Sequence, residues 1–407
     1  MKNLCIVLAL AAGFACAPAC AAAPLTLDAA VARALQANPA LRAAGHEVAA
    51  QEGSIAQARA LPNPTLEFVR EGQDRANRTT TAQLGIPIEL GGKRGARVDA
   101  ARREQDLAVA ERDALRARVR ADTIAAFHDA VATSEQGRLA QELAALAGQA
   151  ADAAARRVDA GKAPPLEATR ARVAQANARI EALQAARELE SARIRLAALW
   201  GGNSADIEVS APATPEIPAA APLDQLVARI VLSPTSRRAQ AELAHRQSLV
   251  RVEQARRTPD VTLILGTRRE TPEQQRQAVL GVSLPLPLFD RNGGALLASL
   301  RRVDKAHDEL EAERVRLQAE LAQAHARLAA AVQEAAMIGS DIVPGAREAF
   351  QLASRGYELG RFGLLDVLDA QRAYAQARHQ HNKAVADAHR AAADIERLLG
   401  PAPQENP

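Results

Sequence analysis

Leu27-Asp28-Ala29-Ala30-Val31-Ala32-Arg33, near the start of the chain, is echoed by Leu223-Asp224-Gln225-Leu226-Val227-Ala228-Arg229, 196 residues later. The echo continues. Asn38-Pro39 meets Ser233-Pro234. Gln57-Ala58-Arg59, then Pro62, Thr65 and Leu66, meets Gln254-Ala255-Arg256, then Pro259, Thr262 and Leu263. Pro87-Ile88-Glu89-Leu90 meets Pro285-Leu286-Pro287-Leu288. Gly161-Lys162 meets Gly360-Arg361, and Leu199-Trp200-Gly201 meets Leu398-Leu399-Gly400. Each match is weak alone. Six in one order, at offsets of 195 to 199 residues, read as a tandem duplication.

Working outward, each copy has the same grammar. The first covers 24–200 and the second 223–400, joined by the Pro-rich segment 201–222 and followed by a short tail, 401–407. A helical pattern from Thr26 to Arg59 is broken or restarted at Pro39. Two strands follow, at about 64–71 and 79–89, then a very long helix, about 96–159, a Gly/Pro loop and a last helix to Leu199. The second copy repeats this with strands at about 261–269 and 277–287 and a long helix at about 294–359, where Pro344 is a candidate kink.

The long helices carry apolar residues at alternating steps of three and four. Leu107, Ala110, Ala114, Ala117, Ala121, Ile124, His128 and Val131 form one seam. Leu310, Leu317, Leu321, Ala324, Leu328 and Ala331 form another, and Val385, Ala388, Ala392, Ile395 and Leu399 a third. That spacing is coiled-coil packing, and the small residues let helices approach closely. Composition agrees: aromatics are only 2% of the 407 residues, too few for thick globular cores. A helix of about 60 residues is about 90 Å long at about 1.5 Å per residue, so a lone hairpin would bury little and neighbours are expected.

The strands alternate. Ala82, Leu84, Ile86 and Ile88 interleave with Thr81, Gln83, Gly85, Pro87 and Glu89, and Ala278, Leu280, Val282, Leu284 and Leu286 with Val279, Gly281, Ser283 and Pro285, with very polar tips at 71–78 and 269–276 between partner strands. Runs of about ten such residues can cross a bilayer as tilted barrel strands. Four strands cannot close a channel-sized barrel, whereas several chains together can.

The N-terminus reads as a secretory signal, 1–23: Lys2, an apolar run from Leu4 to Phe14, and small residues for cleavage near Ala21–Ala23. The run is too short to span a membrane as a helix. Cys5, Cys16 and Cys20 all fall inside it, so the mature chain is expected to have no disulfide. Neither Cys16 nor Cys20 has a large aliphatic residue three positions before it, as lipid attachment would want. The net charge of +3 is small and interleaved, which argues against a nucleic-acid partner.

Catalytic constellations are missing. His46-Glu47 is followed by Ala50, so the zinc-protease spacing fails, and no Gly-x-Ser-x-Gly occurs. Gly91-Gly92-Lys93-Arg94 lacks phosphate-loop spacing and reads as a strand-to-helix loop. His379, His381 and His389 read as solvated helix surface, since His379 and His381 face apart, and His128 as a packed or lumen-facing side chain. No enzyme is expected and no cofactor is indicated. The stretch with most to say is Tyr357-Glu358-Leu359-Gly360-Arg361-Phe362-Gly363-Leu364-Leu365-Asp366-Val367-Leu368-Asp369. Two glycines bracket a loop, a helix starts near Leu364, and Asp366 and Asp369 share one face of its first turns. Carboxylates there also suit the positive end of a helix.

Taken together, the signal segment, the duplicated helix–strand–strand–helix unit and the glycine-started helices resemble the TolC-type outer-membrane efflux channels over essentially the whole mature chain. Pro87-Ile88-Glu89-Leu90-Gly91-Gly92-Lys93-Arg94, Leu284-Pro285-Leu286-Pro287-Leu288-Phe289-Asp290-Arg291-Asn292 and Leu61-Pro62-Asn63-Pro64 narrow the resemblance to the CzcC-like branch, the outer-membrane members of cobalt–zinc–cadmium efflux systems.

The resemblance implies a mainly α protein with a small membrane β-barrel, assembled as a homotrimer: four strands per chain making a 12-stranded barrel, and the long helices a hollow α-barrel through the periplasm. It implies a passive conduit for divalent metal cations, energised by an inner-membrane resistance-nodulation-division pump and joined to it by a periplasmic adaptor protein. Asp366 and Asp369 then form an acidic ring at the aperture, Tyr357 and Glu167 a latch on the closed tip, and the turns at Gly161, Gly360 and Gly363 adaptor-docking points. Phe362 stands where the best-known members carry a gate arginine, with Arg361 one residue early as its substitute. The alternatives are a drug-efflux or type I secretion channel, or a periplasmic coiled-coil adaptor.

Overall fold

The structure, a computed structural model, describes residues 25–74, 78–204, 207–209, 217–219, 221–271 and 275–401. The signal segment with its cysteines, part of the Pro-rich join, the centres of both polar tips and residues 402–407 lie outside the described residues. In the first copy α1 (Leu27–Ala37) and α2 (Pro39–Arg59) lead into β1 (Thr65–Glu71) and β2 (Thr79–Ile88), then α3 (Lys93–Asp159) and α4 (Pro165–Ala198). The second copy runs α5 (Leu223–Arg229), α6 (Pro234–Arg256), β3 (Val261–Glu270), β4 (Arg276–Ser283), α7 (Gly293–Met337), α8 (Val343–Glu358) and α9 (Leu364–Leu399).

The breaks have local causes. Asn38 is extended, its side chain accepts the Leu41 N–H at 3.1 Å, and Pro39 opens α2 where its missing N–H costs nothing. Ser233 and Pro234 do the same for α6, with Ser233 Oγ accepting the Ser236 N–H at 3.1 Å. The long helix of the second copy does not run unbroken to Leu359. A π-turn, Ile338–Ile342, interrupts it before Pro344, whose ring cannot donate to the carbonyl of Ser340. The Gly91–Arg94 segment is a strand-to-helix loop, pinned by Lys93 on Asp260 at 2.8 Å and by Arg97 on Glu89. Strand β4 ends at Ser283, short of the alternation that pointed to 287, because Pro285 and Pro287 have no N–H for the ladder.

Helix α3, 67 residues and about 100 Å long, is the spine. It packs on α2 and α6 toward the strands and on α4 and α9 toward the other end, while α7 packs on α6 and α9. The seam that the three-four spacing picks out on α7 is buried from Leu317 through Leu321, Ala324 and Leu328 to Ala331; on α3 its middle, Ala117, Ala121 and Ile124, is buried; and on α9 Ala388 and Leu399 are buried while Val385, Ala392 and Ile395 are half-buried. Their cores are thin, as in the cluster of Leu317, Leu321 and Ala324 with Leu226, Ile230, Leu398 and Leu399.

All four strands form one antiparallel sheet in the order β1-β2-β3-β4, so β2 and β3 join the two copies. Register places Leu66, Leu84, Leu265 and Leu280 in one row, with Ile86, Leu263 and Val282 in the next on the same face. The opposite face carries Thr65, Glu67, Thr81, Gln83, Thr262 and Gln277, and Gln83 Nε2 donates to Glu67 Oε2 at 2.5 Å. Leu66, Phe68, Leu280 and Val282 are each more than two-thirds exposed in the single chain. Among the described residues no helix is long and apolar enough to cross a membrane.

Leu321 is fully buried in the α7 seam, whereas Val315 on the same helix is 65% exposed. Leu321→Ala should lower unfolding stability by about 2–5 kcal/mol, whereas Val315→Ala should change it by less than about 0.5 kcal/mol, in thermal denaturation of the detergent-solubilised protein.

Candidate functional site

The end of the molecule away from the strands is built from two turns related by the duplication. Helix α3 ends with Gly161 at φ +68° and α8 ends with Gly360 at φ +71°. Both close as Schellman turns. Lys162 N–H donates to Arg157 O at 2.8 Å and Gly161 N–H to Val158 O at 2.9 Å. Arg361 N–H donates to Gly356 O at 2.7 Å and Gly360 N–H to Tyr357 O at 3.0 Å. Left-handed backbone at these two positions makes glycine the fitting residue. The helices that follow, α4 and α9, start at Pro165 and Leu364. Buried Ala151, Ala154, Ala171, Ala353, Leu364, Val367 and Leu368 lock the four helices together around Tyr357.

Tyr357 is only 4% exposed. Its hydroxyl donates to Glu167 Oε1 at 2.7 Å, so the structure brings together the tyrosine and the acid of the other copy. A guanidinium does sit on this pair, and it belongs to Arg157. Its Cζ lies 4.7 Å from the centre of the Tyr357 ring and its Nη1 donates to Tyr357 O at 3.0 Å. Arg361, the residue expected from sequence, is exposed, and its side chain has no hydrogen-bond or ion-pair partner among the described residues. Phe362 folds back over α8: a Cβ on Gly356 would lie 2.0 Å from its Cδ2. Burial, followed by the hydrogen bond and charge of Glu167, pushes the Tyr357 phenol up to about 12, with Arg157 opposing.

Asp366 and Asp369 are both exposed, held outward by the buried Leu364, Val367 and Leu368 on the opposite flank of α9. Asp366 also serves the helix start: its Oδ2 accepts the Gly363 N–H at 2.8 Å. Gly363 itself is extended, the N-cap of α9. Asp369 makes no hydrogen bond or ion pair among the described residues. Of His379, His381 and His389, only His379 is exposed as expected. His128 and His389 stack with centroids 3.6 Å apart and planes 7° from parallel, half-buried between α3 and α9. Burial, then the neighbouring His389, lowers His128 to about 4, so it is neutral near pH 7. His381 lies against Gly339 in the π-turn.

Arg157 was missed because its partner lies in the other copy, about 200 positions away in sequence. The available signal was its place in the last turn of α3, where a cation suits the negative helix end.

A sheet apolar on one face, with both edges unpaired within the chain, mounted on helices about 100 Å long, defines a class: a subunit of a membrane β-barrel carried on an α-helical conduit. The chain belongs to the outer membrane efflux protein family, whose pattern it matches over residues 30–202 and 230–401. It is similar to the cobalt-zinc-cadmium resistance protein CzcC of Cupriavidus metallidurans, 43% identical over 383 residues, 93% of this chain and 91% of that one. The nickel-cobalt-cadmium resistance protein NccC of Alcaligenes xylosoxydans xylosoxydans is 31% identical over 70% of this chain and 65% of its own length. The outer-membrane channel OprN superposes with a TM-score of 0.77 over 92% of this chain and 89% of that one, at 21% identity. The protein is an outer-membrane efflux channel subunit, with its strands in the outer membrane and its helices in the periplasm.

Tyr357→Phe should destabilise the protein by about 1.5–3 kcal/mol, the value of a hydrogen bond to a charged group. The raised phenol pKa of about 12 means this contribution is complete below about pH 10 and is lost as pH rises through about 12. Paired thermal unfolding from pH 7 to 12 should therefore show a constant gap up to pH 10 that narrows above it. Equal stabilities at pH 8 would remove the hydrogen bond from the account.

Proposed function

We propose that this chain forms the outer-membrane channel of a tripartite resistance-nodulation-division efflux system that exports divalent heavy-metal cations of the cobalt, zinc and cadmium type. The observation that carries the reading is the likeness to CzcC, 43% identity across 93% of the chain. In this reading three copies close a 12-stranded barrel and a helical tunnel. Apolar residues left exposed on α4 support the self-association: Leu166, Val173, Ile180 and Ile194 sit at multiples of seven residues along one stripe. The adaptor engages the turns at Gly161, Gly360 and Gly363, and the inner-membrane pump supplies the energy.

The tip carries the gate. Tyr357, Glu167 and Arg157 tie α8 to α3 and α4 in the closed state, and Arg361 stays free for a neighbouring chain or the adaptor. Asp366 and Asp369 are exposed and held by a rigid helix start, so three copies present six carboxylates around the aperture. Such a ring concentrates cations at the constriction.

Two experiments follow. Deleting the gene should sensitise the host to cobalt, zinc or cadmium, with the wild-type gene restoring growth; unaltered tolerance of all three ions, with altered tolerance of drugs, would transfer the channel to drug efflux. In planar bilayers, Asp366→Ala combined with Asp369→Ala should weaken divalent-cation block by at least about tenfold, or about 1.4 kcal/mol. Unchanged block would reject the aperture role of these two residues.

A further inference from the structure

We infer that the outward face of the sheet ends, at its hairpin tips, in an arginine row that binds the phosphates of outer-leaflet lipopolysaccharide. Register aligns Arg70 with Thr80, Thr80 with Arg269, and Arg269 with Arg276, one continuous row across all four strands. The next row on the same face, two residues along each strand, is Phe68, Ala82, Thr267 and Ala278, and the row beyond is Leu66, Leu84, Leu265 and Leu280. Two residues span about 6.8 Å of strand, so the guanidinium groups begin where the apolar band stops. The tips point away from the helices, and the helices lie in the periplasm, so this row stands at the headgroup level of the outer leaflet.

Within the chain the row is unbalanced. Arg269 and Arg276 are directly opposite each other, a like-charge pairing that weakens a sheet unless an anion lies between. Arg70, Arg269 and Arg276 are exposed, and none has an acidic partner among the described residues. The acids of the strand ends point the other way: Glu71 and Glu270 flank Thr79 on the polar face, where Glu270 holds Arg268 at 3.2 Å. Asp74 is exposed in the β1–β2 turn. The strand-end carboxylates are thus confined to the polar face, where Arg268 accompanies them, whereas the face turned to lipid carries Arg70, Arg269 and Arg276 with no acid beside them among the described residues. Guanidinium groups take phosphate oxygens in paired hydrogen bonds, so three along one row suit a headgroup carrying more than one phosphate.

The test is binding of lipopolysaccharide to the full-length protein in detergent, followed by native mass spectrometry. Wild type should bind intact lipopolysaccharide at least about tenfold more tightly than enzymatically dephosphorylated lipopolysaccharide. The combined Arg70→Gln, Arg269→Gln and Arg276→Gln variant should lose a similar factor, and Arg268→Gln, one residue away on the polar face, should lose less than about twofold. The proposal is overturned by equal wild-type binding of the two lipids, by an unaffected triple variant, by an equal loss in Arg268→Gln, or by full competition from millimolar inorganic phosphate. The dephosphorylation arm uses wild type alone and decides the matter even if the triple variant fails to fold.

Discussion

A four-stranded sheet in a bilayer cannot leave its edges open. Strands β1 and β4 are the two edges, and within one chain the outer N–H and C=O groups of Thr65–Glu71 and Arg276–Ser283 have no ladder partner. In hydrocarbon each such group costs several kcal/mol, which leaves closure by further strands as the stable solution. The chain has no further strands among its described residues, and in the proposed assembly the closing strands come from other copies. The rest of the architecture obeys this demand. Pairing of β2 with β3 places both copies of the duplicated unit in one sheet, and the long helices hang from the four strand ends.

The same dependence runs down the helices. Thin alanine-rich seams permit close, nearly parallel helix packing, with little aromatic core to fix the far end. The far end is fixed instead by a compact polar arrangement. Tyr357 from the second copy reaches Glu167 of the first, and Arg157 covers the ring while bonding the backbone. Arg157 stands at the position duplicate-related to Gly356, the small residue over which Phe362 folds. The two copies have therefore diverged most usefully at the tip: one supplies the acid and the cation, the other the phenol and the exposed Asp366–Asp369 pair. In the proposed gate, opening separates α8 from α3 and α4 and so exposes the small cluster of Ala151, Ala154, Ala171 and Ala353 around Tyr357.

Much of this was legible in sequence. The fixed offset exposed the duplication, the three-four spacing picked out Leu317 to Ala331 as buried seam, and the period-two runs gave the apolar sheet face. Tyr357 and Glu167 were named from the family resemblance plus the offset. What escaped depends on contacts between copies. Arg157, not Arg361, covers the tyrosine, because register between α3 and α8 is set by packing and leaves no mark on local pattern. His389 lies in a polar stretch that reads as solvated surface, yet it stacks on His128 across α3 and α9 for the same reason. Pro344 marks a kink in sequence but not the π-turn before it, and β4 stops at the prolines that alternation alone passes over. The row of Arg70, Arg269 and Arg276 needs the β2–β3 register, which no single stretch contains.

The most direct test of closure is edge-to-edge cross-linking in the outer membrane. Cysteine placed at Leu66 or Phe68 on β1, combined with cysteine at Leu280 or Val282 on β4, is oxidised in intact cells and the products are sized without reductant. Closure between copies predicts covalent species that build up to three chains and stop there. Cross-links confined to single chains, or no cross-links at any pairing, would contradict it.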